Sequence, residues 1–197
     1  MTRSTEPLST EIVTTPWQTV GPFFSIGFDW LNCANIAAGA QGARVTIRGR
    51  ILDGDGHGVP DAFLEIWQAD AQGKYCEQPS GDEAVSAKKF SGFARVPTNE
   101  NGEFSITTVQ PGGVPGHDGK PRAPHLNISI FMRGLLRRLV TRMYFPDDAE
   151  NAADTVLAAL PLQRRATLIA RNLDNDKNIL SWDVHLQGER ETVFFEE

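Results

Sequence analysis

His125, Asn127 and Ser129 stand at alternate positions of the chain, separated by Leu126 and Ile128. Alternate side chains of a β-strand share one face, so the three polar groups are expected to point together while the aliphatic ones enter a core. The imidazole in such a row could act as a ligand, although a single histidine is more often a hydrogen-bonded structural residue. Both interpretations of His125 remain open from this pattern alone.

Arg133 is a second candidate, and the chemistry it could do is anion binding. Residues 132–134 read Met-Arg-Gly and lie between two predicted strands, at a bend where a side chain can project from the sheet. Arg137, Arg138 and Arg142 follow closely, so the region is locally basic in an acidic protein. The pattern is compatible with an anion site at Arg133, and a solvated hairpin arginine is the alternative.

Other patterns carry less chemistry. The run from Asp53 to Gly58 alternates acidic residues with glycine, but a calcium loop of the EF-hand type needs a glutamate at its twelfth position, where this chain has Leu64. We interpret the run as a hairpin turn. The sequence contains no GxSxG, P-loop, GxGxxG or HExxH motif, and Cys33 and Cys76 are not in CxxC spacing.

The elements that must position these residues are short strands separated by Gly, Pro and Asn turns. Val45, Ile47 and Ile51 alternate with polar residues, as expected of a half-buried strand. This rhythm predicts a mainly β fold, an antiparallel β-sandwich. An acidic stretch with Ala and Leu at 147–160 predicts one short surface helix. The predicted strands cover 44–52, 61–68, 92–96, 103–109, 126–132, 139–145 and 180–186, with a hairpin turn at 99–102.

Residues 1–43 are predicted to form an extended N-terminal arm, and residues 44–197 the sandwich. Residues 1–16 are polar and rich in Ser and Thr, so they should order only against something else. Residues 16–24 interleave aromatics with Pro and Gly, which favours an extended strap over a helix. The strap could equally lie over the core of its own domain or contact a partner.

Composition limits the partners and the compartment. The 197 residues include 19 Lys+Arg and 25 Asp+Glu, giving a net charge of −6. Such a balance argues against nucleic acid and anionic membranes as partners, because neutralising phosphates needs a basic surface. The sequence contains no apolar run near the roughly 20 residues that cross a bilayer, and its N-terminus lacks the apolar core of a signal peptide. The 2 cysteines are best interpreted as reduced thiols, and we expect a cytoplasmic protein.

The segment from Val45 to Tyr75, with its Asp-Gly-Asp-Gly-His-Gly-Val-Pro-Asp-Ala and Glu-Ile-Trp-Gln-Ala-Asp runs, resembles the signature region of the intradiol ring-cleavage dioxygenases. Matching stretches follow the family order, namely Thr-Val-Gly-Pro-Phe from Thr19, Ala-Pro-His-Leu-Asn-Ile-Ser from Ala123 and Arg-Met-Tyr-Phe-Pro from Arg142. The likeness covers most of residues 15–197. It implies a β-sandwich, a small aromatic substrate and opening of its ring with O₂.

The resemblance also identifies four positions at which iron-bearing members hold non-haem Fe(III) with two tyrosines and two histidines. These positions are Tyr75, Val114, His125 and Asn127 in this sequence. Phenolate oxygens are hard ligands that stabilise Fe(III), whereas valine has no donor atom. Because two ligands are missing, the resemblance implies that this chain holds no metal. Fe(III) is then expected on a partner, the iron-bearing beta subunit of a higher-order alpha/beta hetero-oligomer.

In the family, the iron site of the beta subunit opens toward the alpha chain, whose strap and one arginine wall the substrate cavity. By motif these residues are Thr19, Gly21, Pro22, Phe23 and Arg133. Glycine permits close approach of the backbone, proline fixes the strap, phenylalanine offers an apolar face, and arginine favours a substrate carboxylate. The apolar tail at 193–195 is expected to bury against a neighbouring subunit.

Two other functions stay open. The chain could be a self-sufficient intradiol enzyme for another catechol, which iron bound to the isolated chain would reveal. It could also be a non-catalytic β-sandwich that serves as an interaction or carrier module, in which case replacing Arg133 would leave an assembled enzyme unaffected.

Overall fold

The structure of the protein, a computed structural model, describes residues 14–27, 29–76, 90–116, 119–173 and 176–196. Residues 1–13 of the predicted arm lie outside the described residues. In chain order the strands are β1 (Arg44–Leu52), β2 (Phe63–Trp67), β3 (Phe93–Pro97), β4 (Glu103–Val109), β5 (Val114–Pro115), β6 (Pro121–Arg122), β7 (His125–Phe131), β8 (Leu139–Tyr144), β9 (Arg171–Leu173), β10 (Asp176–Ser181) and β11 (Val184–His185).

Two sheets share one apolar core. A five-stranded sheet has the order β11-β1-β10-β9, with β4 also paired to β1, and a four-stranded sheet has the order β3-β2-β7-β8. The first sheet contributes Ile47 and Ile106 to the core, and the second contributes Leu64, Ile128 and Met143. Burying each such side chain stabilises the fold by about 1.5–3 kcal/mol. Because this gain requires apolar residues on the inner face only, the alternation of apolar and polar residues predicted the strands. The prediction of a mainly β sandwich is confirmed.

Two turns predicted as hairpins instead connect the two sheets. The turn at 53–58 leads from β1 to β2, and the turn at 99–102 leads from β3 to β4. The local chemistry of the second turn is as expected, because Asn99 Oδ1 accepts hydrogen bonds from the backbone N–H groups of Asn101 and Glu103. The predicted hairpin pairing is wrong because turn residues reverse the chain without deciding which sheet the next strand joins.

The C-terminal strand also differs from the prediction. The expected single strand at 180–186 is split into β10 and β11, and both run parallel to β1 in a sheet that is therefore mixed. The break falls at Trp182, whose carbonyl occupies the space into which a Cβ on Gly49 would project. Asp183 then accepts a hydrogen bond from the Arg50 backbone N–H at 2.9 Å. The close approach at Gly49 thus interrupts the ladder.

The strap is not extended throughout. Residues 14–20 have no regular structure, but α1 (Phe23–Gly27) and a 3₁₀ turn at Asp29–Leu31 follow directly. The prediction of an extended segment over 16–24 is therefore wrong at its end. Pro22 precedes the first helical residue, a place where its fixed φ and missing N–H suit a helix start.

The single helix predicted at 147–160 is divided into a 3₁₀ turn at Ala149–Ala152 and α2 (Thr155–Ala159), and α3 (Leu162–Arg165) follows. Asp154 causes the division, because its carboxylate accepts the backbone N–H groups of Val156 and Leu157 and so starts a new helix. Within the described ranges, none of the helices is both long and apolar enough to cross a membrane.

The apolar tail packs on its own chain. Val193 is buried, and its carbonyl accepts a hydrogen bond from Thr141 Oγ1 at 2.8 Å. The Phe195 N–H donates to the Val140 carbonyl at 2.8 Å. The tail thus pairs with the edge strand β8 of its own chain, whose unpaired backbone groups accept it, while Phe194 and Phe195 remain only partly buried. Burial of the tail against a neighbouring subunit stays a prediction.

Candidate functional site

The outward face of the four-stranded sheet carries the polar row that the sequence indicated. Along β7, Leu126, Ile128 and Ile130 are buried in the core, while Asn127 and Ser129 alternate with them on the other face and are only partly buried. The predicted sharing of one face is confirmed for Asn127 and Ser129, whereas His125, at the start of the strand, is buried. A cleft of about 570 Å³ lies over this face, and its lining includes Glu65, Trp67, Phe93, Asn127, Ser129 and Arg142.

Tyr75 and Asn127 are in direct contact. The Asn127 side-chain amide donates to Tyr75 Oη at 3.1 Å, and the Tyr75 ring lies 6.4 Å from that of Trp67. A tight turn positions the tyrosine, because Asp70 Oδ1 accepts the backbone N–H groups of Gln72 and Lys74 at 2.9 Å each. Two of the four positions that the resemblance identified are thus neighbours, joined by a hydrogen bond.

His125 is buried and already engaged. Its Nδ1 lies 2.7 Å from the Ala123 carbonyl, and its ring centroid is 5.5 Å from that of Tyr144. Burial lowers the pKa of His125 below its ordinary value, although the hydrogen bond to Ala123 acts in the opposite direction. The imidazole is therefore neutral near pH 7, as a structural histidine in a core would be.

Val114 lies in β5 opposite Arg122 and is buried. The preceding loop at 111–113 packs against the turn that carries Tyr75, because a Cβ on Gly73 would overlap the Gly113 carbonyl. The loop thus lies next to the turn that carries Tyr75, as the resemblance implies, but the side chain at the ligand position is the aliphatic Val114. Among the described residues, no group of three His, Cys, Asp or Glu side chains could hold a metal ion.

These donors do not fit a ferric ion. Val114 has no donor atom and Asn127 offers only a neutral amide, so the Tyr75 oxygen and the second ring nitrogen of His125 are the only suitable donors of the four positions. Fe(III) needs several hard anionic or imidazole ligands that converge on one point. No step of a reaction is therefore assigned to iron held by this chain.

A buried polar network behind His125 escaped the sequence analysis. Asp154 is fully buried and accepts the Ala123 backbone N–H at 2.9 Å as well as Tyr144 Oη–H at 3.4 Å. Arg142 Nη1 lies 3.5 Å from the same tyrosine oxygen. In the sequence, Asp154 is a single acidic residue before a helical stretch, a pattern typical of an exposed N-cap. In the fold it joins α2 to the start of β7, and so it fixes the strand that carries the polar row.

Burial raises the pKa of Tyr144 to about 12, above the value of about 10 for an unfolded tyrosine. Because the unfolded chain loses this proton first, the stabilisation is complete below pH 10 and is lost as pH rises toward 12. We expect the free energy of unfolding to fall more steeply over that window in the native chain than in Tyr144→Phe, by about 2–3 kcal/mol in total. Urea unfolding of both proteins from pH 8 upward measures the difference between their free energies of unfolding. If that difference does not change with pH, the prediction is wrong.

The strap and the Arg133 bend are held together by Thr19. Thr19 Oγ1 accepts the Gly134 backbone N–H at 3.0 Å, and Gly134 has a positive φ of 90° that a larger residue would resist. The Trp17 ring lies under the Arg137 guanidinium, 3.9 Å from the ring centroid. The structure thus brings together residues that the sequence analysis selected separately, from the strap and from the β7–β8 turn.

Phe24, rather than Phe23, anchors the strap to the sheet. The Phe24 ring stacks on Phe63 at 5.0 Å and on Phe131 at 5.9 Å, and Arg95 lies 5.1 Å above it. Phe23 points outward and is 79% exposed. The anchor frees Phe23 to contact another molecule. Sequence reasoning missed Phe24, although two consecutive aromatics at the start of a helix must point in different directions.

Arg133 projects from the bend with 61% of its side chain exposed. Its Nε lies 2.5 Å from Oδ2 of Asp61, a residue of the turn before β2 that the sequence analysis did not select. A groove of about 780 Å³ adjoins this bend, and its lining includes Trp17, Val20, Leu136, Arg137, Arg138 and Phe195. The exposed guanidinium of Arg133 thus lies near a groove that combines apolar side chains with two further arginines.

Comparison with known proteins defines the class. Residues 33–188 match the protein family described as Dioxygenase. The dioxygenase domain of a dioxygenase–carbohydrate-binding protein fusion from Streptomyces sp. SirexAA-E has a similar structure, with a TM-score of 0.60, 21% identity and coverage of 82% of this chain and 89% of that one. The chain belongs to the intradiol ring-cleavage dioxygenase family, as its resemblance indicated.

Within this family the chain is similar to protocatechuate 3,4-dioxygenase alpha chains. The alpha chain of Pseudomonas putida is 41% identical over 92% of this chain and 96% of its own length. That of Burkholderia cepacia is 41% identical over 95% and 99%. The beta chain of Burkholderia cepacia is 35% identical over 66% of this chain and 56% of its own length. Similarity to the alpha chains thus extends over nearly the whole sequence.

Proposed function

We propose that this chain is the iron-free alpha subunit of a protocatechuate 3,4-dioxygenase. The assembly opens the aromatic ring of protocatechuate with O₂ and yields 3-carboxy-cis,cis-muconate, a reaction of aromatic compound catabolism. The observation that carries the proposal is similarity to alpha chains over 92–95% of the sequence. The donor set at Tyr75, Val114, His125 and Asn127, which does not fit Fe(III), supports the division of labour.

Fe(III) is held by the partner, a beta subunit, in an alpha/beta hetero-oligomer. The contribution of this chain is then to shape and charge the partner's substrate cavity. Phe23 is exposed on the outer side of a strap whose inner side is anchored by Phe24, so the strap can present an apolar surface without leaving its own sheet. Exposed aromatic residues of this kind are enriched where proteins associate. The arm at 1–43 serves the partner, and 44–197 forms the supporting sandwich.

Arg133 binds the substrate carboxylate. A guanidinium presents a planar fork of N–H donors that matches a carboxylate, and such charge-assisted bonds are about twice as strong as neutral ones. Thr19, Gly21 and Pro22 set the course of the strap beside this arginine, since Thr19 Oγ1 accepts the N–H of Gly134. The assembly works in the cytoplasm, in keeping with reduced thiols at Cys33 and Cys76.

Expression of the chain alone, of the beta chain alone and of both together tests the proposal. We expect less than about 0.1 iron per isolated alpha chain, because two donors cannot compete with solvent for Fe(III). Iron and ring-cleaving activity with protocatechuate should both be recovered in the co-expressed complex. Metal analysis, absorption of ferric tyrosinate and an oxygen-uptake assay provide the measurements.

The same experiment separates the alternatives. Stoichiometric ferric ion in the isolated chain would identify a self-sufficient enzyme and overturn the proposal. A complex whose turnover of protocatechuate equals that of the beta chain alone would identify a non-catalytic interaction module.

A further inference from the structure

Asp61 is the acidic side chain that contacts the Arg133 guanidinium in the described part of the chain. Its Oδ2 forms an ion pair with Nε of Arg133 at 2.5 Å, and this oxygen is buried and accepts no hydrogen bond of good geometry. A buried carboxylate oxygen without a hydrogen bond is costly, so the positive charge of Arg133 is the group that compensates for its burial.

The ion pair occupies one side of the guanidinium. Arginine carries its five N–H donors in a rigid planar fork, and a contact at Nε leaves the outer edge with the two Nη atoms available. The Arg133 side chain is 61% exposed, whereas that of Asp61 is 22% exposed. The more exposed member of the pair is thus held by the less exposed one.

The backbone of Arg133 is fixed from the opposite direction. Thr19 Oγ1 accepts the N–H of the next residue, Gly134, at 3.0 Å. Asp61 belongs to the corner between the two sheets, and Thr19 belongs to the strap. Two separate segments therefore hold the arginine, one at its main chain and one at the end of its side chain.

We propose that Asp61 is a positioning residue for Arg133 and that it holds the guanidinium with its Nη edge toward the carboxylate of the aromatic substrate. The inference rests on the proposed function, because it assigns to Asp61 a role through the arginine that contacts substrate. Immobilising a long side chain before binding spares about 0.5–1.5 kcal/mol, which corresponds to a factor of about two to ten in affinity.

Asp61 also carries a negative charge, and its removal would by itself favour an anionic substrate. The two effects are separable because asparagine keeps an oxygen that can accept from Nε without the charge. If positioning dominates, Asp61→Ala raises KM for protocatechuate about two- to tenfold, whereas Asp61→Asn changes KM by less than twofold. In both variants kcat should stay within about twofold of the native assembly.

The experiment uses the alpha/beta complex with native or substituted alpha chains, and complex formation is verified by gel filtration. Steady-state kinetics give KM and kcat for protocatechuate, and catechol, which lacks the carboxylate, is tested as a competing ligand. We expect its inhibition constant to be unaffected by Asp61→Ala. Glu191→Ala is the control, because Glu191 forms another partly exposed ion pair with an arginine, Arg164, at 3.7 Å.

Arg133→Ala and the double variant Arg133→Ala/Asp61→Ala complete the set. Positioning requires that Asp61→Ala adds nothing once Arg133 is gone. A fall in KM in both Asp61 variants, equal losses for protocatechuate and catechol, or an additive double variant would each overturn the inference. If Arg133→Ala itself leaves KM and kcat/KM unchanged, the arginine's proposed role fails. If Arg133→Ala raises KM but Asp61→Ala leaves it unchanged, the inference about Asp61 fails while the proposed role of Arg133 stands.

Discussion

Replacing Arg133 by alanine in the assembled enzyme is expected to lower kcat/KM for protocatechuate about tenfold to 100-fold. Hydrogen bonds to charged groups are worth about 1.5–3 kcal/mol, and each 1.4 kcal/mol is a factor of ten. The loss should be concentrated on substrates with a carboxylate, because Arg133 is proposed to contact that group. Oxygen uptake by the complex as a function of protocatechuate concentration measures the effect.

Two variants make this result specific. Arg133→Lys keeps the positive charge but removes the planar fork, so it should recover part of the activity. Arg164→Ala removes another partly exposed arginine, which pairs with Glu191, and should leave kcat/KM unchanged. Equal kcat/KM for Arg133→Ala and the native complex would refute a direct role of this arginine at the substrate.

Replacing Asp154 by alanine should produce the largest loss of stability, about 3–5 kcal/mol. The carboxylate is fully buried and accepts four hydrogen bonds, from the backbone N–H groups of Val156, Leu157 and Ala123 and from the hydroxyl of Tyr144. Its removal leaves donors without a partner, each at a cost of about 1–3 kcal/mol, which water entering the cavity partly offsets. Equilibrium unfolding in urea measures the change.

Asp148→Ala is the matched control for this prediction. Asp148 caps the preceding 3₁₀ turn by accepting the Glu150 backbone N–H at 2.9 Å, but the contact is exposed to solvent. Its loss should cost only about 1 kcal/mol, as for an ordinary cap. A stability loss for Asp154→Ala no greater than that for Asp148→Ala would show that the buried network contributes nothing beyond capping.

Strands and turns were predictable where the information is local. The alternation of Leu126, Ile128 and Ile130 with polar residues determined the faces of β7, and the antiparallel pairing of β7 with β8 followed from the bend between them. Sheet membership was not predictable in this way. β4 pairs with β1 rather than with its neighbour β3, because the match between buried faces is a property of the whole core.

The sequence could predict which residues belong to the candidate site, but not which of them are in contact. The sequence indicated Thr19 and Arg133, but their meeting at Gly134 depends on the path of the strap across a folded sheet. Asp61 gave no signal, since an acidic residue after a proline is common in turns. Its relation to Arg133 joins segments far apart in sequence, which no local pattern encodes.

The parallel pairing of β1 with β10 and β11 has a consequence for how the molecule is made. Asp183 and Arg50, which face each other at this seam, are 133 positions apart in the chain. During synthesis from the N-terminus, β1 must wait with one edge open until β10 and β11, some 133 positions later, leave the ribosome. Contacts of such long sequence separation form slowly. Completion of this sheet is therefore expected to be a late step of folding, and a chain shortened before β10 should be captured by chaperones rather than join the pool of competent subunits.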